Sequence, residues 1–307
     1  MSLTAAERTK LNTMCPVANL TTLGTRVGAL EDYLLMKYKN VWYVDATSGS
    51  DTYAGTTMST AKATIGAART LNSASIDWAH NAYQRNVIVV TPEVYAEALG
   101  GFYYCDVIGL GIRGTDGEAE IHPAAGSPID GDATLLNAGF FNLRFETDKA
   151  EPCVDAGIVN STMFRSCTFT NGAAVAATGI DLTNSTHLVV EDCDFESGQT
   201  TGLAYGIYAR GGADKYLHNA RIRGNRIFAA TAGIYIAADC TASQAIISDN
   251  FIGPAACLKG IDDNNGGSYC VNNRICAVDG IEHPNSNTQC VGNIVNAAGT
   301  TVWEDAI

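Results

Sequence analysis

The chain has 307 residues, of which 46% are hydrophobic and 17% are charged, so it carries enough apolar material for a sizeable core. Lys and Arg total 19 against 32 Asp and Glu, a net charge of −13. This balance argues against nucleic acid and against an anionic membrane surface as partners, because both need a basic surplus. The sequence shows neither an apolar run long enough to cross a bilayer nor the apolar stretch of a secretory signal.

Glycine and cysteine usage narrows the class further. The 31 glycines and 7 prolines favour many short strands with tight turns over a helical protein. The 10 cysteines are scattered without a CxxC pair, which argues against a zinc site. Without an export signal, we expect mostly reduced, buried thiols that behave as small apolar residues. The even number leaves disulfides open once the protein has left a reducing cell.

Residues 1–38 are predicted to be helical. Thr4 and Glu7 have the spacing of a capping box, and Pro16 interrupts this helix or starts a second one. Apolar residues then follow at alternating steps of three and four, as in a coiled-coil seam. These seam residues are Leu20, Leu23, Val27, Leu30 and Leu34. The seam favours self-association into a short coiled coil, and the alternative is packing against the chain's own domain.

Residues 39–307 are predicted to form one β domain. It opens with a strand at Val41–Val44, an Asp- and Gly-rich turn at Asp45–Gly55 and a helix within Ser59–Ala74, so that 39–75 supplies a first strand and a capping helix. Further strands are predicted at Val87–Val90, Val107–Ile112 and Phe140–Phe145.

Residues 151–295 carry an internal repeat with two alternating elements. The first element is a Gly-Ile pair, at Gly157-Ile158, Gly179-Ile180, Gly206-Ile207, Gly233-Ile234, Gly260-Ile261 and Gly280-Ile281. The second element places a Cys or Asn between two apolar residues. Its copies are Phe164, Cys167 and Phe169; Val190, Cys193 and Phe195; Ile222, Asn225 and Ile227; Ile247, Asn250 and Ile252; Cys270, Asn273 and Ile275; and Cys290, Asn293 and Val295.

A repeat of this length with short apolar strands is typical of one coil of a solenoid. Stacked coils bury their apolar faces and form parallel sheets, with neighbouring strands about 4.8 Å apart. The small polar position then fits a sharp inward corner, where each Asn satisfies backbone groups and bonds to the Asn of the next coil. The sequence therefore predicts an all-β, single-stranded parallel β-helix preceded by a short helical segment.

Four segments resemble a known superfamily: VWYVDATSGSDTYAG, ATIGAARTL, VIVVTPEVYAEAL and VIGLGIRG. They look like the N-terminal part of the pectin-lyase-like right-handed parallel β-helix superfamily, and the resemblance covers about 41–295. The segment LTAAERTKLNTM is similar to segments of bacteriophage tail-fibre and other virion proteins. Together they resemble a phage appendage, such as a tail spike, a fibre tip or a capsid decoration protein.

The resemblance implies two kinds of catalytic site, and the sequence completes neither. Lyases of the superfamily use Ca²⁺ held by carboxylates together with a basic residue, and its hydrolases use clustered carboxylates. The hydrolase pattern is matched only by the pair Asp262-Asp263, and no single coil offers a dense Asp cluster with an Arg. Acidic turns at Asp45–Asp51 and Asp262–Asn265 have the oxygen ligands that Ca²⁺ takes. No other cofactor or metal is expected.

The residues that follow each Gly-Ile pair form a candidate binding surface. They are Val159, Asp181, Tyr208, Tyr235, Asp262 and Glu282. Strand alternation should turn them outward, stacked at the coil spacing. Aromatic faces beside carboxylates suit sugar rings, and Asp262 and Glu282 are the candidates for an acid–base pair at the spacing of a retaining glycosidase. The alternative is that the tyrosines only stabilise the sheet or lie in a subunit interface.

These expectations combine into one functional hypothesis. The protein is predicted to be a bacteriophage virion structural protein that is made in the host cytoplasm without a signal peptide. It would be a homotrimeric appendage whose N-terminal segment joins subunits or contacts other virion proteins. Its β-helix would project outward and bind host surface polysaccharide. The alternative is a polysaccharide depolymerase, either a lyase or a glycoside hydrolase, on the same fold.

Overall fold

The computed structural model describes residues 38–76, 78, 85–113, 117–172, 176–197, 202–212, 214–253, 257–282, 288–297 and 300–306. Residues 1–37 of the predicted helical segment 1–38, with the five seam residues Leu20, Leu23, Val27, Leu30 and Leu34, lie outside these residues. In the part of the chain that is described, the helical elements are the α-helix Ile65–Ser75 and the single 3-10 turn Met58–Thr60. Neither is long and apolar enough to span a bilayer.

The strands fall into three parallel stacks, which we call sheets I, II and III. Sheet I contains Phe102–Tyr103, Ile129–Leu136, Val154–Asn160, Ala177–Thr186, Leu203–Ala209, Ala232–Ile236, Lys259–Asp263 and Asp279–Glu282, with Tyr216–His218 and Thr241–Ser243 beside it. Sheet II contains Val41–Val44, Asn86–Val90, Cys105–Gly109, Gly139–Phe141, Met163–Arg165, Val189–Glu191, Arg221–Arg223, Ala245–Ser248, Ser268–Val271 and Gln289–Ala297. Sheet III contains Val94–Tyr95, Ala119–Ile121, Leu143–Thr147, Thr168–Asn171, Asp194–Ser197, Arg226–Phe228, Phe251–Gly253 and Arg274–Ile275.

Along the chain, one coil contributes strands to sheet I, then to sheet II and then to sheet III. Ala177–Thr186 lies in sheet I, Val189–Glu191 in sheet II and Asp194–Ser197 in sheet III, and each pairs in parallel with its counterparts one coil away. The inward isoleucines of sheet I stay in register from coil to coil, as in the pairing of Ile180 with Ile207. This topology confirms the predicted all-β parallel β-helix, for which a right-handed coil is the general rule.

Two left-handed residues turn the coil that contains Ala177–Thr186. In the same coil, His187 (φ 56°) separates sheet I from sheet II, and Asp192 (φ 53°) separates sheet II from sheet III. Gly, Asn and Asp tolerate this conformation best, and the turn-forming residues of the repeat occupy it in successive coils. The predicted strand Phe140–Phe145 is accordingly two strands, because Asn142 (φ 53°) forms the second corner inside it.

The predicted asparagine ladder follows this second corner. The Nδ2 atom of Asn225 donates to Oδ1 of Asn250 at 2.9 Å, and the same bond joins Asn250 to Asn273 and Asn273 to Asn293. Each of these three donors also bonds to a backbone carbonyl, such as that of Ile222 for Asn250. The ladder therefore satisfies buried backbone groups that a sharp corner leaves without a sheet partner.

Close packing explains the glycine of the Gly-Ile pair. A Cβ atom built on Gly206 would overlap the side chain of Ile227, and one on Gly233 would overlap Ile252. In each case a sheet III side chain of the same coil presses onto the sheet I backbone. Glycine therefore lets the two sheets approach, while the adjacent isoleucine fills the interior.

The first Gly-Ile pair is not a member of the repeat. Val154, not Ile158, pairs with Ile180, and the Ile158 side chain is 48% exposed. Val159 is buried, so its predicted place in the outward column is wrong. Asp155, which pairs with Asp181, occupies that place instead. The sequence Gly157-Ile158 matches the motif by chance. Its strand, Val154–Asn160, pairs with the strand of the preceding coil with shifts in register.

Both ends of the described β-helix are covered. The helix Ile65–Ser75 packs against the first strands of the β domain, with Ile65 and Ala68 in the core. Carboxylates of Asp51 and Glu97 accept hydrogen bonds from backbone N–H groups at the start of this helix. At the other end, Thr300–Ala306 pairs antiparallel with the last long strand. The antiparallel strand thus covers the last edge of sheet II, while Asp279–Glu282 is the last described strand of sheet I.

The described cysteines lie mostly in the interior, as expected for thiols that act as small apolar residues. Eight of them are buried, and Cys276 is partly exposed. Cys167 and Cys193 occupy the corner position in two successive coils, and Cys270 faces Cys290 across sheet II. In this part of the chain the thiols fill interior volume as small apolar groups.

Candidate functional site

The predicted column exists on the outer face of sheet I. Strand register places Asp155, Asp181, Tyr208, Tyr235, Asp262 and Glu282 in one line, each on the coil next to its neighbour. With neighbouring strands about 4.8 Å apart, these six positions span roughly 24 Å. We call this line the sheet I column.

An arginine occupies the first third of the column. Arg210 donates from Nε to Asp181 at 2.6 Å and from Nη2 to Asp155 at 2.6 Å, and Asp132 lies 3.4 Å from Nη1. A dense aspartate cluster with an arginine therefore exists, contrary to the expectation from single coils. Its members come from four different coils, so their association is not visible in any one repeat.

Three tyrosines occupy the middle of the column. The ring centroids of Tyr205, Tyr208 and Tyr235 lie 5.1 to 5.5 Å apart. All three side chains are partly exposed. Burial, with nearby Asp181 for Tyr208 and Asp262 for Tyr235, raises the pKa of the last two hydroxyls. The result is an aromatic surface on which the hydroxyls of Tyr208 and Tyr235 stay protonated at neutral pH.

A lysine occupies the last third. Lys259 Nζ lies 2.7 Å from a carboxylate oxygen of Asp262 and 2.6 Å from one of Glu282. The second oxygen of Asp262 accepts a hydrogen bond from Asn264 at 2.6 Å. Although strand alternation directs Asp262 outward, these neighbours cover it and it is 1% exposed. Glu282 remains exposed.

The two cations of the column are poorly suited to accept a proton. Hydrogen bonds that Arg210 donates to Asp181, against the opposing effect of burial, raise the pKa of Arg210. Hydrogen bonds to Asp262 and Glu282 raise the pKa of Lys259. A general base needs a pKa near the working pH, so both shifts go in the unfavourable direction. These groups instead hold the neighbouring carboxylates in fixed positions.

The candidate acid–base pair is similarly occupied. Asp262 and Glu282 share one ammonium group, which lies where a glycosidase would place the bond to be cleaved. Their carboxylates therefore lie close together, as the spacing predicted, but they form one ion-paired cluster with Lys259.

In the two turns predicted to bind Ca²⁺, the carboxylates accept hydrogen bonds from other groups of the chain. Asp45 accepts a hydrogen bond from the Ser48 N–H, and Asp51 from Thr64. Asp263 accepts from the Gly266 N–H and the Thr288 hydroxyl. Each carboxylate thereby stabilises a turn or a helix start.

Histidine 122 belongs to a cluster that sequence spacing did not indicate. Its ring nitrogens lie 3.1 Å from Glu120 and 3.0 Å from Asp148, and Glu146 is close enough to complete a possible ligand set. Arg144 forms ion pairs with Glu120 and Glu146. The arrangement is a hydrogen-bonded and ion-paired network on the outside of sheet III, in which Arg144 joins two of the acidic groups.

Sequence reasoning found the line of the column but missed the residues beside it. Arg210, Tyr205 and Lys259 do not follow a Gly-Ile pair directly, although each lies within three residues of a column position. Period-2 alternation would have placed Arg210 on the face of Tyr208, whereas Tyr205, three residues from Tyr208, would have been assigned to the opposite face.

Comparisons with known proteins give one structural likeness. No family model and no curated protein sequence matches the chain. The chain is similar to the crystal structure of pectate lyase Pel9A with a TM-score of 0.41 and 11% identity, over 86% of this chain and 82% of that one. The description of the chain as a parallel β-helix rests on its own strand pairing.

Proposed function

We propose that the protein is a β-helical structural appendage of a bacteriophage particle that binds a host surface glycan on the sheet I column without cleaving it. The observation that carries the proposal is the cluster of three partly exposed tyrosines between two sets of fixed carboxylates. Sugar rings present apolar faces to aromatic side chains and hydroxyls to carboxylates, so both parts of the column have a role.

The elongated form of the column favours a linear glycan. Its positions repeat once per coil over roughly 24 Å, which is the scale of several linked sugar residues rather than one. The ion pairs of Arg210 and Lys259 fix the carboxylates before a ligand arrives. A preorganised surface loses less entropy on binding, and repeated weak contacts add along one chain.

The charge arrangement supports binding rather than catalysis. A lyase of the pectin-lyase-like superfamily would need a base that accepts a proton. The two cations beside the column, Arg210 and Lys259, have raised pKa values and are poor bases. A hydrolase would need Asp262 and Glu282 on either side of a glycosidic bond, where Lys259 is placed. The depolymerase alternative requires the ligand to displace these ion pairs.

Assembly is proposed from the sequence. The seam Leu20, Leu23, Val27, Leu30 and Leu34 would join three chains or attach them to other virion proteins. Solution mass by light scattering, for the whole chain and for a chain beginning at Asn40, tests this part. A trimer that dissociates without residues 1–39 is expected, and a monomeric whole chain would contradict the self-association.

Cleavage is tested directly. The protein is incubated with fragments of bacterial capsular polysaccharides and lipopolysaccharide O-chains, chosen from those it retains on an array, and new reducing or unsaturated ends are measured. We expect retention and no new ends. New ends that disappear in Asp262→Ala or Glu282→Gln, with the fold retained by circular dichroism, would establish the depolymerase alternative and overturn the proposal.

A further inference from the structure

A cluster on the outside of sheet III has the composition of a metal site. Glu120, His122 and Glu146 each offer one ligand atom, and these three atoms lie within 4.8 Å of one another. Asp148 lies on the other side of the imidazole ring. We call these four residues the sheet III cluster. It shares no residue with the sheet I column.

Strand pairing brings the three ligand residues together. Ile121 pairs with Phe145 of the next coil, and both side chains are fully buried. Glu120 and His122 flank Ile121 along the chain, so alternation turns them outward. Glu146 follows Phe145 and faces the same way. The ligand residues therefore bridge two successive coils, and the register of sheet III sets their spacing.

The two nitrogens of the His122 ring have separate partners. Nε2 lies 3.0 Å from Oδ2 of Asp148, and Nδ1 lies 3.1 Å from Oε1 of Glu120. A histidine that binds a metal ordinarily donates the N–H of its other nitrogen to a carboxylate, which fixes the tautomer and the orientation of the ring. Asp148 is placed for this second role. With the proton on Nε2, Nδ1 is left to ligate beside Glu120.

Arg144 approaches the two glutamates at other oxygen atoms. Its side chain lies 3.6 Å from Oε2 of Glu120 and 2.8 Å from Oε2 of Glu146, whereas Oε1 of Glu120 faces the imidazole. A cation beside His122 can therefore bind Glu120 without displacing this ion pair. With Asp148, three carboxylates stand against one guanidinium, so the cluster favours a divalent cation.

The imidazole selects the kind of cation. Ca²⁺ and Mg²⁺ prefer oxygen ligands, whereas an imidazole nitrogen with carboxylate oxygens suits Zn²⁺ and other first-row divalent ions. Ligand atoms about 2.1 Å from a tetrahedral Zn²⁺ are about 3.4 Å apart. The 3.1 Å between Nδ1 of His122 and Oε1 of Glu120 is already close to this spacing.

We propose that Glu120, His122 and Glu146 bind a divalent transition-metal ion such as Zn²⁺, which links two successive coils, with Asp148 as a positioning residue. The inference goes beyond the proposed function, because it concerns a different sheet and a different ligand. It does not depend on glycan binding.

Calorimetry on the whole chain tests the inference. The protein is first treated with a chelator and then titrated with Zn²⁺ or with Ca²⁺. We expect saturable binding of Zn²⁺ and much weaker binding of Ca²⁺. His122→Asn should raise the Kd of Zn²⁺ about tenfold or more, since a ligand is lost. Zn²⁺ should also raise the melting temperature of the wild type and not that of His122→Asn.

Asp148→Asn separates positioning from ligation. The variant keeps all three ligands but replaces the carboxylate that holds Nε2–H, and the Kd should rise about tenfold. Because the Asp148 side chain is 50% exposed, this variant should fold even if His122→Asn does not.

Two controls exclude other zinc sites. His187→Asn makes the same substitution at an exposed histidine outside the cluster, in a left-handed conformation that Asn tolerates, and should leave the Kd unchanged. Co²⁺ serves as a spectroscopic probe. Its visible absorption should appear without a thiolate-to-metal charge-transfer band, which shows that the cysteines are not the ligands.

Four outcomes would overturn the inference. They are no saturable binding of Zn²⁺, equal affinity for Ca²⁺, a thiolate band with Co²⁺, and an unchanged Kd in His122→Asn, or in Asp148→Asn if the first variant does not fold. None of these results bears on the sheet I column, so the proposed function is tested separately.

Discussion

The first coils and the last coils of this β-helix have different side chains at the same interior and corner positions of the repeat. In the early coils, Phe140 stacks on Phe164 with ring centroids 4.9 Å apart, and Phe169 stacks on Phe195 at 4.7 Å. In the late coils, isoleucines replace these rings and the asparagine ladder runs along the corner. The change occurs between Cys193 and Asn225, where the Cys193 N–H donates to Oδ1 of Asn225 at 2.9 Å.

This comparison separates two ways of stabilising one geometry. Stacked rings bury large apolar area and need no polar partner at the corner, so a thiol is sufficient there. Smaller aliphatic side chains bury less area, and in those coils the ladder supplies hydrogen bonds that also fix the register between coils. The early coils should therefore respond most to loss of volume and the late coils to loss of hydrogen bonds.

The largest effect is expected in the early coils. Phe169→Ala removes a fully buried ring that contacts Phe145, Phe164 and Phe195. The variant should lose about 4 kcal/mol of unfolding free energy, from lost burial and the cavity that remains. Urea denaturation measures it. A loss below about 1 kcal/mol would show that the stack contributes little.

A slightly smaller effect is expected in the ladder. Asn250→Ala removes an amide that donates to Ile222 O and to Asn273, and that accepts from Asn225. Buried groups left without partners should lower the unfolding free energy by about 3 kcal/mol. Asn160→Ala, at an exposed strand end, is the matched control and should change it by less than about 0.5 kcal/mol. Equal effects in the two variants would contradict the role of the ladder.

The junction between the two regions should tolerate exchange better. Asn225→Cys extends the early-coil corner by one coil and removes the bond from Cys193 N–H to Asn225 and the bonds that Asn225 Nδ2 donates to Val190 O and Asn250. Because the next coil keeps its own ladder, we expect a loss of about 1 to 2 kcal/mol. The comparison with Asn250→Ala in the same urea series is decisive. A larger loss at Asn225 would show that the ladder is strongest at its end.

A pH dependence, absent at neutral pH, is shared by both regions. Burial raises the pKa of Cys153 to about 12 and of Cys240 to about 11, from an ordinary value of 9.0. Because the folded pKa is the higher one, each thiol stabilises the fold fully below about pH 9, and this contribution is lost as the pH rises towards the folded value. Unfolding free energy should therefore fall between pH 9 and 11.

Urea titrations at pH 8, 9 and 10 check this dependence. Cys240→Ala should show a shallower decline, by up to about 1.4 kcal/mol per pH unit above pH 9. Cys276→Ala is the control, because that thiol is only partly buried. A decline that is identical in all three proteins would assign the pH dependence to other groups.

The repeat allowed much of the fold to be predicted, and local geometry explains where it failed. Ile180 and Asn250 recur in phase, so their inward and corner positions followed from spacing alone. The pair Gly157-Ile158 matches the sequence motif, but its strand pairs with the preceding coil with a shifted register. Only the strand pairing of the structure shows that the pair is not part of the repeat.

Only those residues of the candidate site that occupy the same repeat position in successive coils could be predicted from the sequence. Tyr208 and Tyr235 share one repeat position, whereas Arg210 reaches across three coils to Asp132. Long side chains that span coils have no signature in a single repeat, because their partners depend on the rotamer and the coil spacing.

The central claim is that the tyrosines of the sheet I column hold a glycan. It is tested most directly by the affinity of the wild type, Tyr208→Ala and Tyr53→Ala for one polysaccharide fragment that the array identifies. Tyr53 is 45% exposed and lies outside the column, so it is the matched control. We predict a Kd about tenfold higher or more for Tyr208→Ala and no change for Tyr53→Ala. Equal affinities in all three proteins would contradict the account.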